Sequence, residues 1–238
     1  MTEEAPARPF IVALDGPAGA GKSTAARLLA GRLGFALVDT GAIYRAVALA
    51  AARAAVAFDD DRALSGLLPT LRIRFEASGS GPRVFLGDED VSLAIRTPAI
   101  ALGASAVSAR PVVRAALLGL QRTLATTGGV RGAVLEGRDI GTVVFPDADL
   151  KVFITASPEV RARRRFAELA QKGAGVALEE VRADQERRDR DDAGRALAPL
   201  RPAADALQLD TSALAVEEVV DRLAGLARER LEARGRSR

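Results

Sequence analysis

Short apolar runs alternate with longer segments of mixed apolar and charged residues along most of the chain. An apolar run of this kind is typical of a buried strand, and a longer mixed segment is typical of an amphipathic helix. Five strands are predicted in this way, at 10–14, 35–39, 132–136, 150–155 and 206–210. Because strands that alternate with helices form parallel sheets with helices on both faces, the pattern predicts a three-layer α/β fold.

The predicted helices lie between these strands and after the last one. They cover 24–33, 42–55, 93–109, 112–126, 157–190 (with a break at 172–175) and 216–234. Thr40 is a candidate N-cap for the second of these helices, because its hydroxyl can accept a hydrogen bond from the first turn. Pro111 stands where it would open the fourth helix.

The pattern changes between about 58 and 105. Residues 71–75 alternate between apolar and polar with a period of two, a turn rich in Ser and Gly follows at 78–82, and 83–86 returns as a second strand. Residues 89–91 are expected to add a third strand. An antiparallel meander does not belong in a parallel core, so we interpret this segment as an inserted lobe.

Composition excludes several kinds of chemistry. The 238 residues include no Cys and no His, which excludes a thiol nucleophile, a disulfide and a Cys-based metal site and removes the usual general base. Any acid–base chemistry therefore falls to Asp, Glu, Lys or water. Lys and Arg total 34 against 31 Asp and Glu, and aromatic residues are only 4%. So small an excess of positive charge, with so few stacking platforms, does not favour a nucleic-acid-binding surface.

The sequence carries no sign of a membrane or secretory segment. No stretch approaches the roughly 18 consecutive apolar residues of a transmembrane helix. Residues 1–9 contain two Glu and lack the apolar core of a signal peptide. We therefore expect a cytoplasmic protein.

Residues 16–23, GPAGAGKS, fit the phosphate-binding loop pattern G-x-x-x-x-G-K-[ST] between a predicted strand and a predicted helix. Glycines let successive backbone N–H groups converge on phosphate oxygens, and the helix N-terminus adds partial positive charge. Lys22 can reach the β- and γ-phosphates, and the Ser23 hydroxyl is a Mg²⁺ ligand. The motif predicts binding of a nucleoside triphosphate, but kinases, GTPases and transport ATPases all share it.

Charged residues near strand ends indicate a second site for an anion. Arg45 lies close to the strand that ends at 39, and Arg138 follows the carboxyl end of another strand, where ligands bind in open α/β sheets. Arg188, Asp192 and Arg195 are spaced to share one helix face if the helix persists. The same spacing fits a solvated surface helix held by salt bridges, so the pattern alone leaves both interpretations open.

Five segments of the chain form a specific combination. They are GPAGAGKST (16–24), DTGAIYRAVAL (39–49), GDEDV (87–91), EGRDIGTVVFPDA (136–148) and RALAPLRPAADAL (195–207). Together they resemble the bacterial cytidylate kinase family, in the nucleoside monophosphate kinase group of P-loop kinases. The resemblance runs from about residue 10 to about 230, and the last two segments are long and specific.

The resemblance implies one domain over 1–238 with three parts. The implied core segments are 8–57, 112–160 and 196–238, the monophosphate-binding lobe with the antiparallel insert covers about 58–111, and a helical lid covers about 161–195. The five-stranded parallel sheet would carry the core.

The resemblance also implies transfer of the γ-phosphoryl group of ATP to CMP or dCMP, with Mg²⁺. The residues implied to bind ATP are Gly16, Pro17, Ala18, Gly19, Ala20, Gly21, Lys22, Ser23 and Thr24. Those implied to bind CMP are Thr40, Arg45 and Arg138 at its phosphate, Ser105, Arg114 and Asp139 at cytosine, Arg188 and Asp192 at the ribose, and Arg195 near base and phosphate. The implied catalytic residues are Lys22, Arg138 and the lid arginines Arg161, Arg164 and Arg165, with Ser23 on Mg²⁺ and Glu136 in its outer shell.

This chemistry does not need the missing His, because the acceptor phosphate of CMP is already a dianion near neutral pH. Three alternatives stay open: a kinase for another small acceptor such as UMP, a GTPase, and a nucleic-acid-binding ATPase. The sequence holds no N/T-K-x-D guanine signature, which disfavours the GTPase. The expected partners are ATP and CMP or dCMP, without nucleic acid or membrane, and we expect a monomer.

Overall fold

The computed structural model describes residues 8–76, 82–127, 129–171, 173 and 175–236. Its strands are β1 Phe10–Asp15, β2 Ala36–Asp39, β3 Ile73–Glu76, β4 Arg83–Leu86, β5 Glu89–Asp90, β6 Gly132–Gly137, β7 Leu150–Thr155 and β8 Leu207–Asp210. Its α-helices are α1 Lys22–Leu33, α2 Thr40–Arg53, α3 Asp61–Leu67, α4 Pro98–Ser108, α5 Pro111–Thr126, α6 Pro158–Gln171, α7 Leu178–Ala193 and α8 Val216–Arg236.

The main sheet has five strands in the order β2-β6-β1-β7-β8, and every neighbouring pair is parallel. The predicted α/β class and the five predicted strands are therefore confirmed. No strand end differs from its predicted position by more than one residue. All six residues of β1 are buried, as expected for the central strand of a sheet covered on both faces.

The core lies on both faces of this sheet. Val12 and Leu14 of β1 face a cluster that includes Leu29 of α1 and Leu223 of α8. The alternating residues, including Ile11, contribute to a second cluster on the opposite face, where α5 packs. This alternation follows from the period of two along a strand.

The predicted meander is confirmed as an antiparallel sheet in the order β3-β4-β5. Its apolar face packs with α2, α4 and α5 in a third cluster, separate from the two clusters on the main sheet. The predicted turn at 78–82 falls outside the described residues except for residue 82. The division of the chain into core, lobe and lid stays a prediction.

Two local predictions were wrong. The N-cap of α2 is Asp39 and not Thr40: the Asp39 Oδ1 accepts from the Ala42 N–H at 2.9 Å, and Thr40 is the first helical residue. The helix predicted at 93–109 begins only at Pro98, because proline is tolerated in the first turn of a helix but not in its interior. A short 3₁₀ segment at 94–96 precedes it.

The other helices agree closely with the predictions. Pro111 opens α5, and the helical stretch predicted at 157–190 is divided into α6 and α7, which end and begin on either side of the expected break. Residues 172 and 174 of that break lie outside the described part of the chain.

Within the described residues, no single helix is both long and apolar enough to cross a membrane. Only taken together are α4 and α5 long and apolar enough to cross a membrane, and the chain bends by 99° between them.

Packing of β1 against β6 gives a test of the fold. A Cβ on Gly132, the first residue of β6, would lie 2.7 Å from the backbone O of Phe10 and 2.6 Å from the ring of Phe35. We expect Gly132→Ala to lower the free energy of unfolding by about 1–3 kcal/mol, because a backbone oxygen cannot easily move aside.

The matched control is Gly119→Ala in α5, where a new Cβ meets nothing within 4 Å. Removing a helical glycine should leave stability unchanged or raise it by up to about 1 kcal/mol. Urea unfolding of Gly132→Ala and Gly119→Ala is the measurement. Equal unfolding midpoints for the two variants would show that the contact between Gly132 and the backbone O of Phe10 is not tight.

Candidate active site

A cavity of about 1190 Å³ opens at the carboxyl edge of the parallel sheet. Its walls come from the loop between β1 and α1, the start of α2, α4, the segment after β6, the helices α6 and α7, and the turn after β8. Pockets for one small ligand usually span roughly 300–1,000 Å³. This cavity is therefore large enough for two ligands side by side.

The loop between β1 and α1 forms one end of the cavity. At its start, Gly16 has a φ of +148°, and a Cβ there would overlap the backbone carbonyl of Ile154 in β7. Only glycine fits this close approach. At its end, Lys22 begins α1, and its Nζ donates to the backbone O of Pro17 at 2.7 Å. The loop thus curls around the lysine ammonium, which is 5% exposed.

A buried carboxylate faces the first turn of α1. The Ser23 Oγ donates to Glu136 Oε2 at 2.6 Å, and Glu136 lies at the carboxyl end of β6. Burial and the nearby charge of Asp39 raise the pKa of Glu136 to about 7. Burial and the nearby charge of Arg138 lower the pKa of Lys22 to about 7. Both groups are thus held where a small change in surroundings alters their charge.

Charged side chains form a paired cluster at the other end of the cavity. Arg138 Nε donates to Asp192 Oδ2 at 2.8 Å, and Arg195 pairs with Asp192 Oδ1 at 2.5 Å. Arg114 pairs with Asp139, and burial raises the pKa of that aspartate. Both aspartates are at most 5% exposed.

Two more of the predicted residues lie beside this cluster. Ser105 Oγ is 3.5 Å from Arg195 Nη2. Arg45 pairs with Asp39 at 2.7 Å next to Thr40, whose Oγ1 donates to the backbone O of Glu136 at 2.7 Å. Residues from α2, α4, α5, β6 and α7, distant in sequence, therefore converge on one polar surface. A dense set of arginines and buried aspartates suits a ligand that carries both a phosphate and polar groups.

Comparison with known proteins agrees with this geometry. The cytidylate kinase family profile matches residues 12–229. The cytidylate kinase of Geobacter sulfurreducens is 56% identical over 223 residues, which is 94% of this chain and 94% of that protein. The cytidylate kinase of Geobacter sp. strain M21 is 52% identical over 221 residues, 93% of this chain and 94% of that protein. The chain belongs to the cytidylate kinase family.

Solved structures support the fold alone. The crystal structure of an uncharacterized protein from Eubacterium ventriosum aligns with a TM-score of 0.51 and 12% sequence identity, over 92% of this chain and 98% of that one. At 12% identity this similarity concerns the fold and says nothing about the chemistry of the site.

The three predicted lid arginines lie in different places. Arg164 and Arg165 line the cavity: Arg164 donates to Thr211 Oγ1 at 3.0 Å and to the Thr211 backbone O at 2.7 Å, and Arg165 pairs with Glu168 at 2.8 Å. Arg161 does not line it, and its implied role at the transferring phosphate stays a prediction. Its guanidinium is buried behind the phosphate loop, where it donates to backbone carbonyls and pairs with Asp189.

The predicted helix face at 188–195 is only partly correct. The helix α7 ends at Ala193, so Arg195 lies beyond it and reaches Asp192 from the following segment. Arg188 lines the cavity, and its Nε has no hydrogen-bond partner among the described residues. The opposite side of α7 carries the solvated pairs of the alternative interpretation, such as Arg182 with Glu186. Both interpretations therefore apply, to different faces of one helix.

Sequence reasoning missed part of the cavity wall. In addition to Thr24, Ala25 and Arg164, the wall includes four residues from the turn after β8 and the start of α8: Thr211, Leu214, Val216 and Val219. The signal that could have found them is their position after the carboxyl end of a parallel strand. Of the residues implied to bind ATP, Gly16 and Pro17 do not line the cavity; they shape the loop from behind.

The raised pKa of Glu136 gives a test in the ligand-free protein. Its folded pKa of about 7 exceeds the ordinary value of 4.5 for a glutamate, so its contribution to stability is full below that lower value and is lost as the pH rises through about 7. We expect the free energy of unfolding to fall between pH 5 and pH 7.5 by less in Glu136→Gln than in the wild type. Loss of the carboxylate also lowers the pKa of Lys22 further. A lysine with a lowered pKa gains stability as the pH rises, so this effect also makes the fall in the free energy of unfolding smaller in Glu136→Gln.

Urea unfolding at the two pH values provides the measurement. Glu217→Gln, an exposed change on α8, is the control and should leave the pH dependence as in the wild type. An identical pH dependence in Glu136→Gln would show that the carboxyl group titrates alike in the folded and unfolded chain.

Proposed function

We propose that this protein transfers the γ-phosphoryl group of ATP to CMP or dCMP, giving ADP and CDP or dCDP. The observation that carries the proposal is the presence in one cavity of a phosphate loop at one end and the Arg138–Asp192–Arg195 cluster at the other. Membership of the cytidylate kinase family supports the assignment over nearly the whole chain. It does not favour UMP, the alternative acceptor considered from the sequence.

The donor end of the cavity suits a nucleoside triphosphate. The loop backbone and the N-terminus of α1 provide N–H groups for the phosphates, and Lys22 Nζ lies within the loop. Negative charge brought by those phosphates favours the protonated form of the lysine, against the effect of burial. The apolar side chains of Leu214, Val216 and Val219 extend the cavity beyond the loop, and we assign this part to the adenine base.

The acceptor end suits a nucleoside monophosphate. Arg45, Arg138 and Thr40 are assigned to its phosphate, Ser105, Arg114 and Asp139 to cytosine, Arg188 and Asp192 to the ribose, and Arg195 to a position near the base and phosphate. The Asp192 carboxylate holds Arg138 and Arg195 in fixed positions before substrate arrives. Fixed donors lose less conformational freedom on binding, which favours affinity and correct alignment.

Mg²⁺ fits the residues at the donor end. Ser23 and Glu136 offer a hydroxyl and a carboxylate 2.6 Å apart, and both are hard oxygen ligands. The described residues hold no group of three or more acidic side chains that would bind a metal alone, which is the usual situation where substrate phosphates complete the shell. When bound, Mg²⁺ would neutralise phosphate charge; Ser23 would hold it directly and Glu136 through its outer shell.

No general base is required of this chain. Phosphoryl transfer proceeds through a loose transition state, so the residues act by positioning the two phosphates in line and by stabilising charge. We assign the stabilisation of charge to Lys22, Arg138, Arg164 and Arg165, which line the cavity. Closure of α6 and α7 over the cavity would exclude water and so suppress ATP hydrolysis. Action in the cytoplasm, as a monomer without nucleic acid or membrane, stays a prediction.

Acceptor profiling tests the function directly. We expect ADP release from ATP to depend on CMP or dCMP and to be weak with UMP, AMP and GMP. The physical reason is that a wrong base would not supply hydrogen-bonding groups that match the buried Arg114 and Asp139. A coupled ADP-release assay against each monophosphate is the measurement, and equal turnover with AMP would overturn the assignment.

Removal of the negative charge of Asp192 tests the acceptor site. Asp192→Asn removes a carboxylate that pairs with two arginines, and a charge-assisted hydrogen bond is worth about 1.5–3 kcal/mol. We expect the CMP KM to rise about tenfold or more while the ATP KM changes little. If the carboxylate also contacts the 2′-hydroxyl, CMP should lose more than dCMP.

The control for this variant is Asp191→Asn, the exposed neighbour on the same helix. It should leave the constants for both substrates unchanged. Equal CMP constants in the wild type and in Asp192→Asn would reduce Asp192 to a structural ion pair.

A further inference from the structure

The guanidinium of Arg161 joins three parts of the chain at a point outside the cavity. Its Nε donates to the backbone O of Ala156, after β7, at 3.0 Å. Its Nη1 donates to the backbone O of Ala18, at the tip of the phosphate loop, at 3.1 Å, and pairs with Asp189 of α7. One side chain of α6 thus connects the sheet, the loop that we assign to ATP, and a helix of the lid.

A second contact reinforces this junction. Gln185 lies one turn before Asp189 on α7, and its Nε2 donates to the backbone O of Arg161 at 3.3 Å. Gln185 and Arg188 line the cavity, whereas Arg161 and Asp189 do not. The Arg161–Asp189 pair therefore makes no contact with the space that the substrates would fill.

We propose that Arg161 is a positioning residue that couples the lid helix α7 to the phosphate loop through Asp189. The Ala18 carbonyl and the Asp189 carboxylate share Nη1, so a displacement of α7 acts on the same group that orients the loop backbone. The proposal rests on ATP binding at this loop, as proposed above. It replaces a direct role for Arg161 at the transferring phosphate.

The chemistry of the pair suits such coupling. The guanidinium is 8% exposed, and a buried cation depends on a carboxylate partner. Only Oδ2 of Asp189 makes the contact; Oδ1 has no hydrogen-bond partner among the described residues. A contact through one oxygen is weaker than a bidentate pair, so it can hold the loop and still rearrange if α7 moves.

Asp189→Asn and Arg161→Lys, alone and combined, test the proposal. Loss of the pair lets the loop adopt more conformations before ATP binds, so each single variant should raise the ATP Kd about fivefold or more. The CMP KM should change less than about twofold, because the acceptor site is not touched. The double variant should bind ATP no more weakly than Arg161→Lys, since both changes break one pathway.

The control is Arg163→Ala, an exposed arginine two residues along α6, which should leave every constant unchanged. The ATP Kd is measured by displacement of a fluorescent ATP analogue, with the thermal midpoint of each variant recorded. A purely structural pair would lower that midpoint and leave the ATP Kd of the folded protein unaltered.

Two results would overturn the proposal: an unchanged ATP Kd in folded Asp189→Asn, or additive effects in the double variant. Asp189→Asn decides alone if Arg161→Lys does not fold. Failure of the proposed function is distinguishable, because wild-type protein would then bind ATP in the displacement assay without releasing ADP when CMP is added.

Discussion

Burial of charge at the carboxyl edge of the parallel sheet is the constraint on which the rest of this structure depends. Three charged residues there, Lys22, Glu136 and Asp139, are 5%, 7% and 5% exposed. Burial lowers the pKa of the lysine and raises the pKa of both carboxyl groups, which favours the neutral form of each. A buried charge persists only where hydrogen bonds and opposite charges surround it. The chain must therefore bring partners from several elements to this edge and hold them there.

The central strand does much of this positioning. Asp15, the last residue of β1, accepts from the backbone N–H groups of Ile140 and Gly141 at 2.8 Å each, and burial raises its pKa to about 6. These two bonds fix the start of the segment that follows Arg138 and Asp139. The strand that leads into the phosphate loop thus also places the residues assigned to the acceptor, so donor and acceptor ends are anchored to one strand.

The two helices of the predicted lid are held by different interactions from those of the sheet core. The helices α6 and α7 carry many exposed ion pairs, such as Arg187 with Asp184, and such pairs contribute little to stability. Their inward side combines the polar contacts of Arg161 and Gln185 with the buried apolar side chains of Ala162 and Val181. A sheet core of close-packed aliphatic residues beneath two helices with many exposed polar contacts would allow the predicted lid to move while the edge that holds the loop stays fixed.

The sequence by itself determined the five strands, the phosphate loop, the meander and the family, because these depend on local patterns: apolar runs, period-two alternation and contiguous motifs. Only the tertiary structure decided which arginine meets which carboxylate. Arg161 and Arg164 are three residues apart on α6, yet one is buried behind the loop and the other lines the cavity. Thr40 was expected to cap α2 but bonds to β6, and the wall after β8 carries no motif. Such contacts join residues far apart along the chain. Thr211 Oγ1, for example, donates to the backbone O of Ala20, 191 positions away, and spacing along the chain holds no information about this contact.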